Sequence, residues 1–417
     1  MDKLAFVFPG QGSHYVGMSK GIYDEFKIVR ETFEEAEDIL KINLTDLCFN
    51  GPLSTLTKVT NAHAAILTSG ISAFRVFMQE IGYVPQFCAG HSLGEYLALT
   101  SAGVLSFADA LKLVEFRAGL TKNVEQETNG GMTIIDNIET TIVEEECKKA
   151  QEQGKKVYIS CYNSPIQTAI SGDLDDLFDF EDTILSRGGQ ITPLIGSAPY
   201  HSPLMINYAK ELEKELERYT FHDFRYAVIS NYTGEIYRSI DEVKKNLVLH
   251  LTNPVKWSQS MKLLERRGVN VAIEMGPKNL ITNIVRSNSN EISAICLGNK
   301  KERNEFFTKY KTHEMYSKHI PTIITKCLVA GVATPNKNWD NDEYEAGVVK
   351  PYNEIQSIQN KIESKELILN DEIIRKCLEN LKTIFITKKL PESEQKEWLT
   401  QMLEETGLNY QFKDILL

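Results

Sequence analysis

The residues best suited to chemistry in this chain are residues 90–94, Gly-His-Ser-Leu-Gly, which place a serine between two glycines. This Gly-x-Ser-x-Gly spacing is typical of a nucleophile elbow, a strained turn between a strand and a helix. Such a turn lifts the hydroxyl of Ser92 away from the backbone and directs N–H groups at the reacting atom. The apolar residues 87–89 predict the strand before the turn, and residues 93–102 predict the helix after it.

A nucleophilic serine needs a general base, and this chain offers eight histidines. His201 is favoured because residues 197–203, Ser-Ala-Pro-Tyr-His-Ser-Pro, predict a stiff loop. The alternative is an ordinary polar histidine on a surface loop. No Asp or Glu stands out as the third member of a triad, and a backbone carbonyl could orient the imidazole instead.

The glycine-rich residues 8–14, Phe-Pro-Gly-Gln-Gly-Ser-His, directly follow a predicted buried strand. Such a loop exposes backbone N–H groups to an anion. It matches neither the dinucleotide-binding glycine pattern nor the phosphate loop that ends in Gly-Lys-Ser/Thr. We therefore interpret it as one half of an oxyanion hole, paired with the backbone N–H of Leu93.

Arg117 continues the buried row of a predicted helix over residues 107–124. Ala110, Leu113 and Val114 form this row at i, i+3, i+4 spacing. A guanidinium that faces inward needs an anionic partner. Two partners remain open, namely a buried carboxylate of the protein, in a structural salt bridge, or a substrate carboxylate, in a bidentate clamp.

The composition limits the classes of protein to which the chain can belong. Its 417 residues predict two or three domains, and no apolar run is long enough for a membrane span or a signal peptide. A net charge of −11 disfavours nucleic-acid binding, because phosphate attraction needs a positive surface. The seven cysteines form no Cys-x-x-Cys pair, which disfavours a metal site and predicts a reducing compartment, by default the cytoplasm.

The elements that must position these residues follow from the hydrophobic pattern. Residues 1–124 alternate short apolar runs with helical patterns, as in an α/β domain. Residues 131–194 predict the order βαββαβ, a ferredoxin-like unit, and α/β patterning returns from residue 198. The small unit is therefore predicted to be an insertion. Two domains arranged in this way share a cleft, which is a common place for a ligand.

The remaining residues, 305–417, are polar and predict helices. A stripe at 3.6-residue spacing runs through residues 373–385 and predicts an amphipathic helix. Pro391 opens a further helical stretch, which Gly407 can close. The stripe has two interpretations, which are packing against the main body and docking of a partner.

Several motifs, in order along the chain, resemble those of malonyl-CoA:acyl carrier protein transacylases. They are residues 8–13, residues 90–96, Arg117, residues 163–165 (Asn-Ser-Pro), His201, residues 253–257 (Asn-Pro-Val-Lys-Trp) and residues 274–277 (Glu-Met-Gly-Pro). The resemblance covers residues 1 to about 300. It implies an α/β fold whose α/β-hydrolase-like core comprises residues 1–124 and 198–304. A ferredoxin-like subdomain is inserted at residues 125–197, and a helical C-terminal extension covers residues 305–417.

The same resemblance implies a role for each site residue, with Ser92 as the nucleophile and His201 as the base. It implies that Gln11 and Leu93 are the backbone donors to the oxyanion and that Arg117 clamps the malonyl carboxylate. It also implies that the backbone carbonyl of His250 orients the histidine. The reaction it implies moves a malonyl group from malonyl-CoA to the phosphopantetheine thiol of an acyl carrier protein, in polyketide or fatty acid biosynthesis. It implies no permanently bound cofactor and no metal.

Some expectations and alternatives accompany this resemblance. An acidic carrier protein would meet a local basic patch, which we place around Lys278 and Arg286. Residues 311–352 resemble the extension of free-standing polyketide acyltransferases. Departures from the family at His14, His63 and Tyr200 concern the wall of the acyl pocket. The alternatives are a hydrolase that edits carrier proteins, which Arg117 disfavours, and a catalytically silent docking subunit.

Overall fold

The computed structural model describes residues 2–416 apart from residues 128, 195, 317–322, 365, 368, 407 and 409–411. The chain forms two compact units, residues 2–307 and residues 308–417. The strands of the described residues are β1 Leu4–Phe8, β2 Phe87–Gly90, β3 Gly130–Asp136, β4 Val157–Ser164, β5 Gln167–Asp173, β6 Gln190–Pro193, β7 Ala227–Ile229, β8 Val271–Glu274 and β9 Ser293–Cys296.

The helices of the first unit surround and connect these strands. They are α1 Lys20–Glu25, α2 Lys27–Leu40, α3 Leu44–Asn50, α4 Leu53–Leu56, α5 Val59–Glu80, α6 Gly94–Ser101, α7 Phe107–Glu127, α8 Thr140–Glu152, α9 Leu174–Ser186, α10 Ile206–Leu216, α11 Ile240–Thr252, α12 Trp257–Arg266 and α13 Leu280–Asn288. The next helix, α14 Lys300–Tyr316, contains the division between the units.

A parallel sheet of five strands forms the core of the first unit, in the order β7-β2-β1-β8-β9. Every side chain of β1 is buried, which is why its sequence, Leu-Ala-Phe-Val-Phe, is continuously apolar rather than alternating. The sheet brings the carboxyl ends of β1, β2 and β7 to one edge, because these neighbouring strands run parallel. The two glycine-containing loops of the predicted site follow β1 and β2 at this edge.

An antiparallel sheet of four strands forms a smaller layer, in the order β4-β5-β3-β6. With α8 and α9 it has the predicted order βαββαβ, and its core contains Ile135, Val143, Ile170 and Phe180. The α/β fold class with a ferredoxin-like insertion is therefore confirmed. The Asp173 side chain caps α9 by accepting the N–H of Asp175, so this helix begins at Leu174.

Helices make up the second unit, which contains α15 Ile323–Ala333, α16 Asn341–Tyr344, α17 Lys350–Glu363, α18 Asp371–Thr387 and α19 Glu392–Thr406. The predicted stripe lies on α18, and Leu378, Leu381 and Phe385 are fully buried. They pack in a cluster drawn from residues 323–415, so the stripe serves a core of the second unit itself. Helix α19 begins directly after Pro391, whereas Gly407 and residues 317–322 of the predicted 311–352 match lie outside the described residues.

Candidate active site

Residues 90–94 form a sharp turn between β2 and α6, as the spacing predicts. Ser92 has φ of 53°, in the left-handed region that side chains other than glycine rarely adopt. A Cβ atom on Gly90 would overlap the backbone of Gly94, and one on Gly94 would overlap the carbonyl of Phe8. The two glycines are thus required by close backbone approach, and they leave the Ser92 hydroxyl at the carboxyl end of the sheet.

The Ser92 hydroxyl contacts the base predicted from the sequence. Its Oγ lies 2.8 Å from Nε2 of His201, whose Nδ1–H donates to the carbonyl oxygen of His250 at 2.7 Å. This second bond leaves the lone pair of Nε2 facing the serine. Burial, followed by the nearby His250 and Arg117, lowers the pKa of His201 well below its usual value. The imidazole is therefore neutral and able to accept the serine proton.

His201 is held in place by the backbone around it as well as by its ring. Its φ is 61°, its N–H donates to the carbonyl of Leu251 at 2.9 Å, and its side chain is buried. The carbonyls of Leu251 and His250 both belong to the last turn of α11, where carbonyl groups lack helical partners. A helix C-terminus thus supplies the acceptor that an acidic residue supplies in a triad.

Arg117 lies on α7 and is buried, with 3% of its surface exposed. Its guanidinium carbon lies 4.7 Å from the ring centre of Tyr200 and 5.8 Å from that of Tyr96. Within the described residues, no carboxylate oxygen lies at ion-pair distance from it. The structural salt bridge considered for Arg117 is thus not found in this part of the chain. Burial, followed by the charge of Arg117, lowers the pKa of the nearby His63 well below its usual value.

Two backbone loops meet beside the serine. A Cβ atom on Gly10 would lie 2.5 Å from the carbonyl oxygen of His91, so the loop after β1 approaches the elbow closely. Gln11 is exposed at the tip of this loop, whereas Leu93 is buried at the start of α6. Among the described residues, neither backbone N–H donates a hydrogen bond. Both donors are thus available to an oxyanion.

A cavity of about 380 Å³ opens next to His201, between its loop and the smaller sheet. Tyr158 and Ile159 of β4, together with α8, line one side, and Asn253 and Pro254 line the other. His201 is among the residues that line this cavity, whereas Ser92 and Arg117 are not. Lys278 and Arg286, the proposed basic patch, are both exposed.

Sequence reasoning missed the residues that brace the elbow. The backbone N–H of Ser92 donates to Oδ1 of Asn231 at 2.8 Å, and Nδ2 of Asn231 donates to the carbonyl of Gly90 at 2.5 Å. His91 is fixed in turn by Asn163, with Nε2 and Oδ1 2.7 Å apart. Asn231 follows β7, and nothing in its local sequence marks it. Asn163 belongs to one of the motifs, which was the only available signal.

Comparison with known proteins decides the family. The profile described as "Acyl transferase domain" matches residues 5–332. The chain belongs to the acyl transferase family. A malonyl CoA-acyl carrier protein transacylase from Bacillus subtilis is 35% identical over 395 residues, which are 95% of this chain and 99% of the relative. Another, from Escherichia coli K12, is 35% identical over 298 residues, covering 71% of this chain and 96% of the relative.

Solved structures agree with this acyl transferase in fold. One, described as a type II polyketide synthase acyl carrier protein in complex with its malonyl-transacylase, has a TM-score of 0.71 and 32% identity over 74% of this chain and 99% of that one. Another, a malonyl-CoA:acyl carrier protein transacylase from Xanthomonas oryzae, has a TM-score of 0.71 and 29% identity, covering 74% and 98%.

The described residues contain neither a metal site nor a membrane-spanning helix. In the part of this acyl transferase that the structure describes, no group of three or more His, Cys, Asp or Glu side chains could hold a metal ion. No helix of the same residues is both long and apolar enough to cross a bilayer. All seven cysteines are buried, and they are Cys48, Cys88, Cys147, Cys161, Cys296, Cys327 and Cys377.

Proposed function

We propose that this acyl transferase moves a malonyl group from malonyl-CoA, through an ester on Ser92, to the phosphopantetheine thiol of an acyl carrier protein in polyketide or fatty acid biosynthesis. The 2.8 Å contact between Ser92 Oγ and His201 Nε2 carries the proposal, because it couples a nucleophile to a neutral base. The transacylases among its relatives, and the solved complex of a transacylase with a carrier protein, support the substrate and the partner.

In the first half-reaction, His201 accepts the hydroxyl proton of Ser92 while Oγ attacks the thioester carbonyl carbon. The backbone N–H groups of Gln11 and Leu93 stabilise the oxyanion of the tetrahedral intermediate. The carbon–sulfur bond then breaks, and His201 returns the proton to the departing CoA thiolate. In the second half-reaction the carrier thiol gives its proton to His201 and attacks the Ser92 ester. The acyl–Oγ bond then breaks, and His201 returns the proton to Oγ, which restores the free serine and the neutral base.

Arg117 selects the acyl group in this proposal. Its buried guanidinium forms no ion pair with the described residues, so a malonyl carboxylate can supply the missing anion. The reaction requires no resident cofactor, because the malonyl group arrives already activated as a thioester. We assign acyl transfer to the core at residues 1–124 and 198–304 together with the insertion at residues 125–197. Residues 305–417 are the C-terminal extension, and we place carrier docking on the surface at Lys278 and Arg286. The buried, unpaired cysteines suit a reducing compartment such as the cytoplasm.

Intact-mass measurement after mixing with malonyl-CoA tests the proposal. The wild type should gain one malonyl group and Ser92→Ala none. Ser101→Ala replaces a buried serine at the end of α6, the helix that follows the elbow, and should keep the adduct. Addition of a phosphopantetheinylated carrier protein should move the group onto the carrier, and the apo carrier should receive nothing. Absence of an adduct on the wild type would contradict the proposal, and release of free malonate with no loaded carrier would identify the editing hydrolase.

A further inference from the structure

The catalytic pair belongs to a closed circuit of contacts that continues beyond the carbonyl of His250. On the far side of the His250 residue, ring atom Nδ1 lies 2.8 Å from Oε2 of Glu95. The other oxygen of Glu95 accepts the backbone N–H of Asn231 at 2.9 Å, and the side chain of Asn231 accepts the backbone N–H of Ser92. The circuit therefore leaves Ser92 through its hydroxyl and returns to it through its N–H.

Glu95 is an acidic residue with no exposed surface, although it directly follows the elbow glycine at the start of α6. Its Oε1 also accepts the hydroxyl of Tyr237 at 2.7 Å. Its Oε2 has no well-aligned hydrogen bond within the described residues, so the approach of His250 is its close polar contact there. Two lone pairs at 2.8 Å would repel each other, so this contact favours the tautomer of His250 that carries its proton on Nδ1.

The ring of His250 also touches the base directly. The centres of the His250 and His201 rings are 4.6 Å apart with 22° between their planes, so the rings are stacked. His250 thus holds the imidazole of His201 twice, through its carbonyl at Nδ1 and through its ring on one face.

We propose that Glu95 is a positioning residue for acyl transfer, which fixes His250 against His201 and supplies the negative charge that the Ser92–His201 pair lacks. This inference rests on the proposed function. When His201 takes the serine proton it becomes an imidazolium, and a carboxylate behind the stacked ring favours that charge. No triad acid was visible in the sequence because this acid acts through a second histidine rather than on the base itself.

The charge of Glu95 depends on pH in a range that can be measured. Burial raises the pKa of its carboxyl to about 7, while the hydrogen bonds from Tyr237 and Asn231 and the charge of Arg117 act in the opposite direction. The titratable or charged groups that face the Glu95–His250 pair are Tyr96, Tyr237, Arg117, His91 and His201. As pH falls through about 7, Glu95 becomes neutral, its support of the imidazolium is lost, and acylation should slow.

Glu95→Gln tests the proposal, with single-turnover acylation of Ser92 by malonyl-CoA measured between pH 5.5 and 9. The amide keeps an acceptor for Asn231 and Tyr237 but cannot ionise. We expect a rate about 10-fold lower at pH 8, a fraction of the effect of removing a general base, and loss of the inflection near pH 7. Glu274→Gln is the matched control, because burial also raises the pKa of that carboxyl to about 7 while its partners are Ile281 and Thr282, outside the circuit. It should keep the wild-type profile.

His250→Gln gives a second, independent reading, because it keeps the backbone carbonyl and removes the stacked ring. We expect a similar fall in rate at pH 8, and a combined Glu95→Gln/His250→Gln loss smaller than the product of the single losses. Should Glu95→Gln fail to fold, the rate and pH profile of His250→Gln decide. A wild-type rate and profile in the folded variants, or an equal change in Glu274→Gln, would overturn the inference. A wild type that forms no acyl adduct would instead overturn the proposed function.

Discussion

Replacement of Arg117 by alanine should separate malonyl from acetyl transfer. The guanidinium is buried against two tyrosine rings, so a malonyl carboxylate placed there loses its hydration and depends on this charge. Leaving one member of a buried ion pair without its partner costs about 3–5 kcal/mol. At about 1.4 kcal/mol for each tenfold change, kcat/KM for malonyl-CoA should fall by roughly 100- to 4000-fold. Acetyl-CoA has no carboxylate, so its transfer should change less than about 10-fold.

The assay is the rate of Ser92 acylation by each thioester, followed by quenching and intact-mass measurement. Arg117→Lys is the matched control, since it keeps the charge but loses the planar fork, and its loss should be intermediate. Thermal unfolding of both variants measures the stability that is lost with the contacts to Tyr96 and Tyr200. Each of these contacts is worth about 0.5–2 kcal/mol. Equal losses for malonyl and acetyl groups in a folded Arg117→Ala variant would show that Arg117 is structural and refute the clamp.

Two further predictions concern the elbow and the C-terminal unit. Gly90→Ala should abolish folded, active protein because its methyl group would overlap the backbone of Gly94. Gly119→Ala is the control and should be tolerated, because a Cβ there meets nothing within 4 Å. Soluble yield and the rate of Ser92 acylation are measured for both variants. Leu381→Ala should destabilise the second unit by about 2–5 kcal/mol in thermal unfolding yet leave Ser92 acylation unchanged, since Leu381 is fully buried in the cluster of residues 323–415; an equal loss of acylation would contradict this separation.

The elements that could be predicted are those whose signal is local. The order βαββαβ could be predicted because each strand and helix of that layer has its own hydrophobic period. The elbow was readable because its geometry demands glycine at positions 90 and 94. The stripe on α18 also predicted a helix correctly, but periodicity does not say which surface a buried stripe contacts. The structure places it in a core of residues 323–415.

The bracing residues could not be predicted because their contacts join distant parts of the chain. Asn231 reaches Ser92 only because β7 pairs with β2 in parallel, with Ile229 opposite Ala89, which brings the two following loops together. These two strands are neighbours in the sheet although about 140 residues separate them in the sequence, so no local stretch of sequence contains the contact. Glu95 did not stand out in the sequence for a related reason. Its position one residue after the elbow is compatible with an exposed helix start, where acidic residues are common. The structure instead buries it against His250, Tyr237 and Asn231, which are distant from it in the sequence.

The left-handed backbone at Ser92 and His201 sets stability and activity in opposition at the same two positions. Each non-glycine residue in this region costs about 1–2 kcal/mol, and glycine would relieve that strain while removing the reacting side chain. In a relative whose acyl transfer is no longer under selection, substitution by glycine at these two positions would therefore stabilise the fold. Glycine at position 92 or 201 would thus distinguish an inactive relative that acts only by binding a partner from an active acyl transferase.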